Sequence, residues 1–562
     1  MIDALSPLLI LLAVALPLAL ALAAALPAFR ARALDLLPFA PLPSLAAALL
    51  ATEGARVGVP ELLFGVRLEL RGEGRLFLGF ASFLWCLAGL YARSEMRGTQ
   101  RPTLFAVSWC LALAGNLGVF LAGDVVTFYT AFACLTFAAY PAIVSSGTEA
   151  AYRAGRVYMV FSVAGETALL AALMLAASGA VSLSIGGVSA SIASLPQRDV
   201  VHLLLLVGFG IKAGLVPLHL WLPLAHPAAP PAASAVLSGA MVKAGLFGLM
   251  RFMPGDGALG DAWPLLLLAL GLAGCFYGIA MGLTQTKPKT ILAYSTVSQM
   301  SLMVALLSAG LGEGAAGAAF GALSLYALHH GLAKGALFMG AGLAPLARPG
   351  ARIGFLALLA LPALSVAGLP LTGGALAKLA GKMPFSGAAE TLVTLSAAGT
   401  TLVMLRFLAA AGSQAGSGSE RLPAARLAPM IAATLAAVAL PWWLFPALSG
   451  QDLGYVLRPD NLWSAAWPVA LAAAGFLVWR RAGFPAPAVP PGDILVPLTA
   501  ALERLRKPWA AIHYPPFPKR RSAQLRARGM KVLLASERGL LSWSLAGPLV
   551  LAVVLFAALY RP

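Results

Sequence analysis

Residues 203–251 read LLLLVGFGIKAGLVPLHLWLPLAHPAAPPAASAVLSGAMVKAGLFGLMR. They form two apolar runs, the first interrupted by Pro217 and the second opened by Pro227, Pro230 and Pro231. Each run carries one lysine, Lys212 and Lys243, deep in apolar surroundings. A charge at the bilayer centre costs at least ~2.5–3.5 kcal/mol on insertion scales, so such a residue faces a protein or water-filled interior. With His219 just past the proline, the stretch predicts two membrane helices built around an ion path.

The rest of the chain fits a membrane setting. Of its 562 residues 60% are hydrophobic and 11% charged, against about 25% charged in soluble domains. Apolar segments recur from 8–28 to 543–560; at about 20 residues per span they predict an all-α polytopic membrane protein of about 16 transmembrane helices. The segment at 77–92 is short for a span. The run Leu8–Ala28 has no lysine or arginine before it and exceeds a signal-peptide core, so it reads as a retained helix. No stretch is long enough for a soluble domain with its own active site. Cys86, Cys110, Cys134 and Cys275 lie in apolar segments without CxxC spacing. They read as buried small hydrophobes, and neither metal nor cofactor is expected.

The net charge of +18 does not imply nucleic acid, because the basic residues sit in connections between apolar segments. Arg30 and Arg32, then Arg93, Arg97 and Arg101, then Arg153 and Arg156 mark alternate connections. Lys287 and Lys289, Arg348 and Arg352, and Arg421 and Arg426 continue the series, while the connections between them are balanced or acidic. By the positive-inside rule the odd-numbered connections are cytoplasmic. This predicts a multi-pass protein of the bacterial cytoplasmic (inner) membrane with both termini outside.

Internal symmetry organises the middle of the chain. GLVPLHLWLP around Pro217 is matched by VAGLPLTGGALAK around Pro370, five segments later. Two interrupted helices entering from opposite sides predict inverted five-helix repeats, and their broken backbones need a protein or aqueous interior. The expected divisions are helices 1–3 over 1–100, repeat 1 (helices 4–8) over 101–255 and repeat 2 (helices 9–13) over 260–412. Helices 14–15 over 424–481, a basic cytoplasmic or lateral amphipathic segment over 482–542, and a last helix over 543–562 complete the chain. The basic segment suits anionic lipid headgroups, a neighbouring subunit, or a solvated topogenic loop.

The charged residues within apolar segments are the candidate functional groups. Lys212, Lys243 and Lys334 lie deepest, and Glu166 sits about ten residues into its own segment. Desolvation weakens a buried lysine's hold on its proton and a nearby carboxylate strengthens it, which is what a proton relay needs. His219 and His330 can bridge gaps. On a helix His330 shares a face with Lys334 at i−4, whereas the adjacent His329 points about 100° away and is expected to pack elsewhere. Lys378 follows the second break; Asp124, Lys382 and Glu390 lie near segment ends.

HLWLPLAHPAAPPAASAVLSGAMVKAG, KTILAYSTVSQM, HHGLAKGALFMGAG and GLPLTGGALAK together resemble the antiporter-like subunits of complex I, Mrp-type sodium/proton antiporters and energy-converting hydrogenases. The likeness runs over about residues 100 to 410 and is greatest to the large membrane subunit of hydrogenase-4 and formate hydrogenlyase-type complexes. It implies two inverted five-helix repeats, often with a lateral helix before the last span. It further implies proton-translocating roles for Lys212, His219, Lys243, His330, Lys334 and Lys378. One departure is evident. Where such proteins carry glutamate, seven residues before a Tyr or Ser, this chain has Ala133 before Tyr140. Either Glu166 or Asp124 replaces that carboxylate, or the subunit couples differently.

The function expected is a non-catalytic subunit moving protons, or sodium and protons, in a redox-driven complex, with membrane and soluble subunits as partners. The alternatives are a subunit of a multisubunit sodium/proton antiporter and a membrane partner energising a soluble inorganic-carbon uptake protein.

Overall fold

The computed structural model describes residues 2–62, 65–253, 260, 262–312, 316–416, 418, 421–483, 489–492 and 494. In lipid an apolar run must close its backbone hydrogen bonds internally, and helices result. In order these are α1 (Ile2–Ala25), α2 (Leu42–Leu50), α3 (Gly72–Glu95), α4 (Pro102–Leu121), α5 (Val125–Ile143) and α6 (Glu149–Ser178). Next come α7 (Arg198–Ala213), α8 (Leu222–Ala228), α9 (Pro231–Phe252), α10 (Ala262–Thr284), α11 (Pro288–Ser308) and α12 (Ala316–Leu343). The last are α13 (Arg352–Ala367), α14 (Gly373–Lys382), α15 (Gly387–Gln414), α16 (Ala424–Ser449) and α17 (Pro459–Ala482).

Among the described residues, twelve helices are long and apolar enough to cross a membrane. The segment expected to be short is carried past its apolar centre by polar ends, so that α3 runs for 24 residues. The segment at 34–51 is not one helix. A turn over 37–41, containing Pro38 and Pro41, separates Ala33–Leu36 from α2. The span expected at 543–560 and nearly all of 482–542 lie outside the described residues.

The two broken helices end at glycines, not at the prolines that signal them. Gly214 ends α7 with φ 75°, and the Leu215 N–H reaches back to the Gly210 carbonyl at 2.9 Å. Gly368 ends α13 with φ 96°, and the Leu369 N–H reaches the Leu364 carbonyl at 3.0 Å. Both are the same left-handed termination, for which glycine avoids the Cβ penalty. Pro217 and Pro370 lie just beyond, where no helix can continue through them. Leu371, in the second break, holds φ 64° without being glycine.

Contacts sort the connections onto two faces. On the first, Asp35 meets Arg93 and Arg97, Arg101 meets the Tyr152 hydroxyl, and Glu95 accepts from the Ala232 N–H. Lys289 donates to the Pro227 and Ala229 carbonyls, and Arg426 to the Ser94 carbonyl. These are the connections with the arginine and lysine excess. On the second face an antiparallel pair, β1 (Arg56–Val59) and β2 (Val66–Glu69), abuts Ala122 through Leu68, and Asp124 bridges Ser184. The C-terminal end of α14 and the N-terminal end of α17 share this second face through Lys382 and Ser464. The centre belongs to α9 and α11, whose apolar windows are wholly enclosed by protein.

Candidate functional site

The first polar cluster joins three helices beside the first break. Lys212, on the last turn of α7, is 4% exposed and donates from Nζ to Thr136 Oγ1 of α5 at 3.0 Å. The Thr136 hydroxyl also hydrogen-bonds the Glu166 carboxylate of α6. It therefore accepts from the ammonium and donates to the acid. The Phe132 and Tyr158 rings flank Nζ, with centroids 5.9 and 6.0 Å away, and the Tyr158 hydroxyl donates to the Thr136 carbonyl at 2.6 Å. Glu166 Oε2 has no hydrogen-bond partner among the described residues and borders a cavity of about 10 Å³. Ala133 lies one turn before Thr136 on the same helix face.

Of the two acids that could replace a carboxylate at Ala133, Glu166 stands beside Lys212. Asp124 instead caps α5, accepting the Val126 and Thr127 N–H groups at 2.9 and 2.8 Å and the Thr127 hydroxyl at 2.6 Å. The Arg67 N–H adds a fourth bond at 3.0 Å. Every donor near Asp124 is a backbone or hydroxyl group that the cap satisfies.

The second cluster occupies the centre. Residues 237–241 form a wide π turn inside α9, a rare irregularity frequent at functional sites. Lys243, fully enclosed, donates from Nζ to the Ser238 carbonyl in that turn at 2.6 Å and shares a 2.7 Å hydrogen bond with His330 Nδ1 of α12. His330 thus faces Lys243, where the i−4 spacing pointed to Lys334. Lys334 reaches across to the Leu292 carbonyl of α11 at 3.0 Å, and Thr296 Oγ1 donates to the same carbonyl at 2.9 Å. A 2.8 Å hydroxyl bond between Thr296 and Ser238 closes the ring back to Lys243.

The third cluster ties the second break to the centre. His329 shares a 2.8 Å hydrogen bond between Nε2 and Ser365 Oγ of α13, and Ser365 Oγ accepts from the Gly374 N–H of α14 at 3.3 Å. His329 therefore pins both halves of the interrupted helix to α12. Nearby, Tyr326 donates to Gln299 Oε1 at 2.7 Å, and Gln299 Nε2 to Thr400 Oγ1 at 3.1 Å. Lys378 Nζ is buried with no hydrogen-bond partner among the described residues. Lys382 and Glu390 pair at 3.6 Å towards the second face. His219, in the first break, lies 5.2 Å from the Tyr277 ring and 6.3 Å from that of Tyr294.

Thr136, His329, Ser365 and Gln299 escape a reading of the sequence because none is charged or isolated in an apolar face. The one available signal is local: Thr136 follows Ala133 by a helical turn. Among the described residues no three His, Cys, Asp or Glu side chains converge so as to hold a metal ion.

A helical membrane fold with two interrupted helices and a buried line of lysines and histidines defines a class. Residues 122–405, 284 of the 562, match the family described as NADH:quinone oxidoreductase/Mrp antiporter, TM, and the chain belongs to that family. It is similar to an uncharacterized protein of Mycobacterium tuberculosis, 34% identical over 50% of this chain and 45% of that one. Hydrogenase-4 component B of Escherichia coli is 28% identical over 51% and 44% of the two chains. One of the Na(+)/H(+) antiporter subunits of Alkalihalophilus pseudofirmus is 28% identical over 50% and 56%. The chain thus spans about half the length of the curated relatives it matches. Among solved structures it resembles a chain of the Mrp complex from Dietzia sp. (TM-score 0.68, 22% identity, covering 84% of this chain and 99% of that one). It also resembles a chain of the membrane-bound sulfane sulfur reductase, an archaeal respiratory complex (TM-score 0.66, 20% identity, 94% and 100%).

Proposed function

We propose that this chain is an ion-translocating membrane subunit of a multisubunit complex, carrying protons along a buried axis from Glu166 to Lys378. The observation that carries the reading is the succession of enclosed polar groups across the molecule: Glu166–Thr136–Lys212, then Lys243–His330 with Ser238, Thr296 and Lys334, then Lys378. Isolated ammonium groups are costly in an apolar interior and are retained where their charge is used. Each lysine contributes a proton site; His219, His330 and enclosed water supply the steps between them. Glu166 takes the part of the acid missing at Ala133, holding a proton on Lys212 while ionised and releasing it when neutralised.

The matched terminations at Gly214 and Gly368 support two inverted repeats over 101–255 and 260–412, each contributing one break. The basic first face supports a cytoplasmic orientation for it in the inner membrane. The relatives belong to hydrogenase, antiporter and respiratory complexes, and we favour a redox-driven complex with soluble subunits. A sodium/proton antiporter assembly is the second reading, favoured by the TM-score of 0.68 to the Mrp chain. Co-purifying subunits distinguish them: iron–sulfur or nickel–iron proteins in the first, several small membrane proteins in the second. In vesicles containing the purified complex, Lys212→Ala is expected to abolish proton or sodium flux while assembly persists. Unchanged flux would remove the relay.

A further inference from the structure

The polar axis needs an outlet, and the geometry beside Lys378 goes beyond the relay itself. A cavity of about 50 Å³ opens next to the second break, enough for one or two waters at ~30 Å³ each. Its walls include Gly368 and Lys378, then Lys382 and Thr394, and finally Asn461 and Ser464. Exposure rises along it. Lys378 Nζ is enclosed, the Lys382 side chain is 19% exposed and that of Glu390 44% exposed. Lys378 and Lys382 are four residues apart on α14 and so share a face. Lys382 Nζ is held between Ser464 Oγ of α17 at 2.8 Å and Glu390 Oε1 of α15 at 3.6 Å. This contact closes the cavity at the second face, and one of its holders, α17, lies outside both repeats.

We infer that this cavity is the aqueous mouth of the second break and that Lys382, latched to Ser464 and Glu390, is its gate. The inference rests on the relay reading above. A proton leaves Lys378 Nζ for cavity water, the nitrogen keeping the electron pair, and passes outward past the Glu390 carboxylate. Two ammonium groups in one small cavity repel, so charge on Lys378 drives Lys382 towards Glu390 and a neutral Lys378 lets it relax. Lys382 acts on the proton's path without carrying it and is a positioning residue.

The test uses Ser464→Cys in the full complex, reconstituted with known orientation and probed with a charged, membrane-impermeant methanethiosulfonate. The native thiols give little background, since Cys86, Cys110 and Cys275 are buried. Rapid labelling from the second face alone, with flux falling at least tenfold on labelling, is the expected result. Should that variant fail to assemble, Thr394→Cys on the opposite wall serves the same purpose. No labelling from either face means a dry cavity and overturns the mouth. Labelling that leaves flux intact also overturns it, yet leaves the Lys212 result standing, so the two readings fail separately. Adding Lys382→Met to Thr394→Cys should raise the labelling rate about tenfold, as expected when one charge-assisted latch is lost. An unchanged rate overturns the gate.

Discussion

Thr136 shows how one hydroxyl can alter an ion pair. It stands between Lys212 and Glu166, so the acid and the ammonium communicate through a group that both accepts and donates. Glu166→Gln should cut flux severely and flatten its pH profile, and Ala133→Glu in that background should restore part of it. No recovery would mean that an acid on α5 cannot reach Lys212. Thr136→Ser keeps the hydroxyl and should keep transport, whereas Thr136→Val should lose about tenfold, the worth of one hydrogen bond to a charged group. Equal flux in the two variants would reduce Thr136 to packing.

The broken helices owe their form to glycine before proline. A left-handed residue with a Cβ costs ~1–2 kcal/mol, and at Gly214 that Cβ would also meet Leu222 Cδ1 at 2.7 Å. Gly214→Ala should therefore lower the thermal unfolding midpoint in detergent. Gly186→Ala, where a Cβ meets nothing within 4 Å, should not. If both variants melted alike, the left-handed cap would not matter to α7. At Gly368 a Cβ would lie 2.7 Å from Lys378 Cδ, so the second break reserves its space for the lysine it presents.

Across the whole molecule, the first face is drawn together by charge as well as by apolar packing. The Arg97 guanidinium, bonding the Asp35 carboxylate at 2.6 Å, and Arg93 beside it hold that carboxyl below the usual carboxylate range. A lowered folded value makes this contribution fully present above the ordinary carboxylate range. It is lost as pH falls through the folded value. Because Asp35 is 37% exposed, the effect is modest, within about 1 kcal/mol. Asp35→Asn should lower the unfolding midpoint slightly at neutral pH, and the gap to the unaltered protein should close in acid. A gap independent of pH would assign the loss to packing.

The amino-acid order alone carries the helical membrane character, because a run of about 20 apolar residues has few other ways to satisfy its backbone in lipid. It also carries the alternation of basic and acidic connections, the two breaks and the deep lysines, all of which are local patterns. Position within a segment says how deep a residue lies; it does not say what lies opposite. That depends on how each helix is rotated and which neighbours it meets. Only the tertiary structure could choose Glu166 over Asp124 as the acid beside Lys212, turn His330 to Lys243 and His329 to Ser365, and bring Ser464 of α17 over the second break. These contacts cross between helices distant in the chain, and helical periodicity leaves such pairings open.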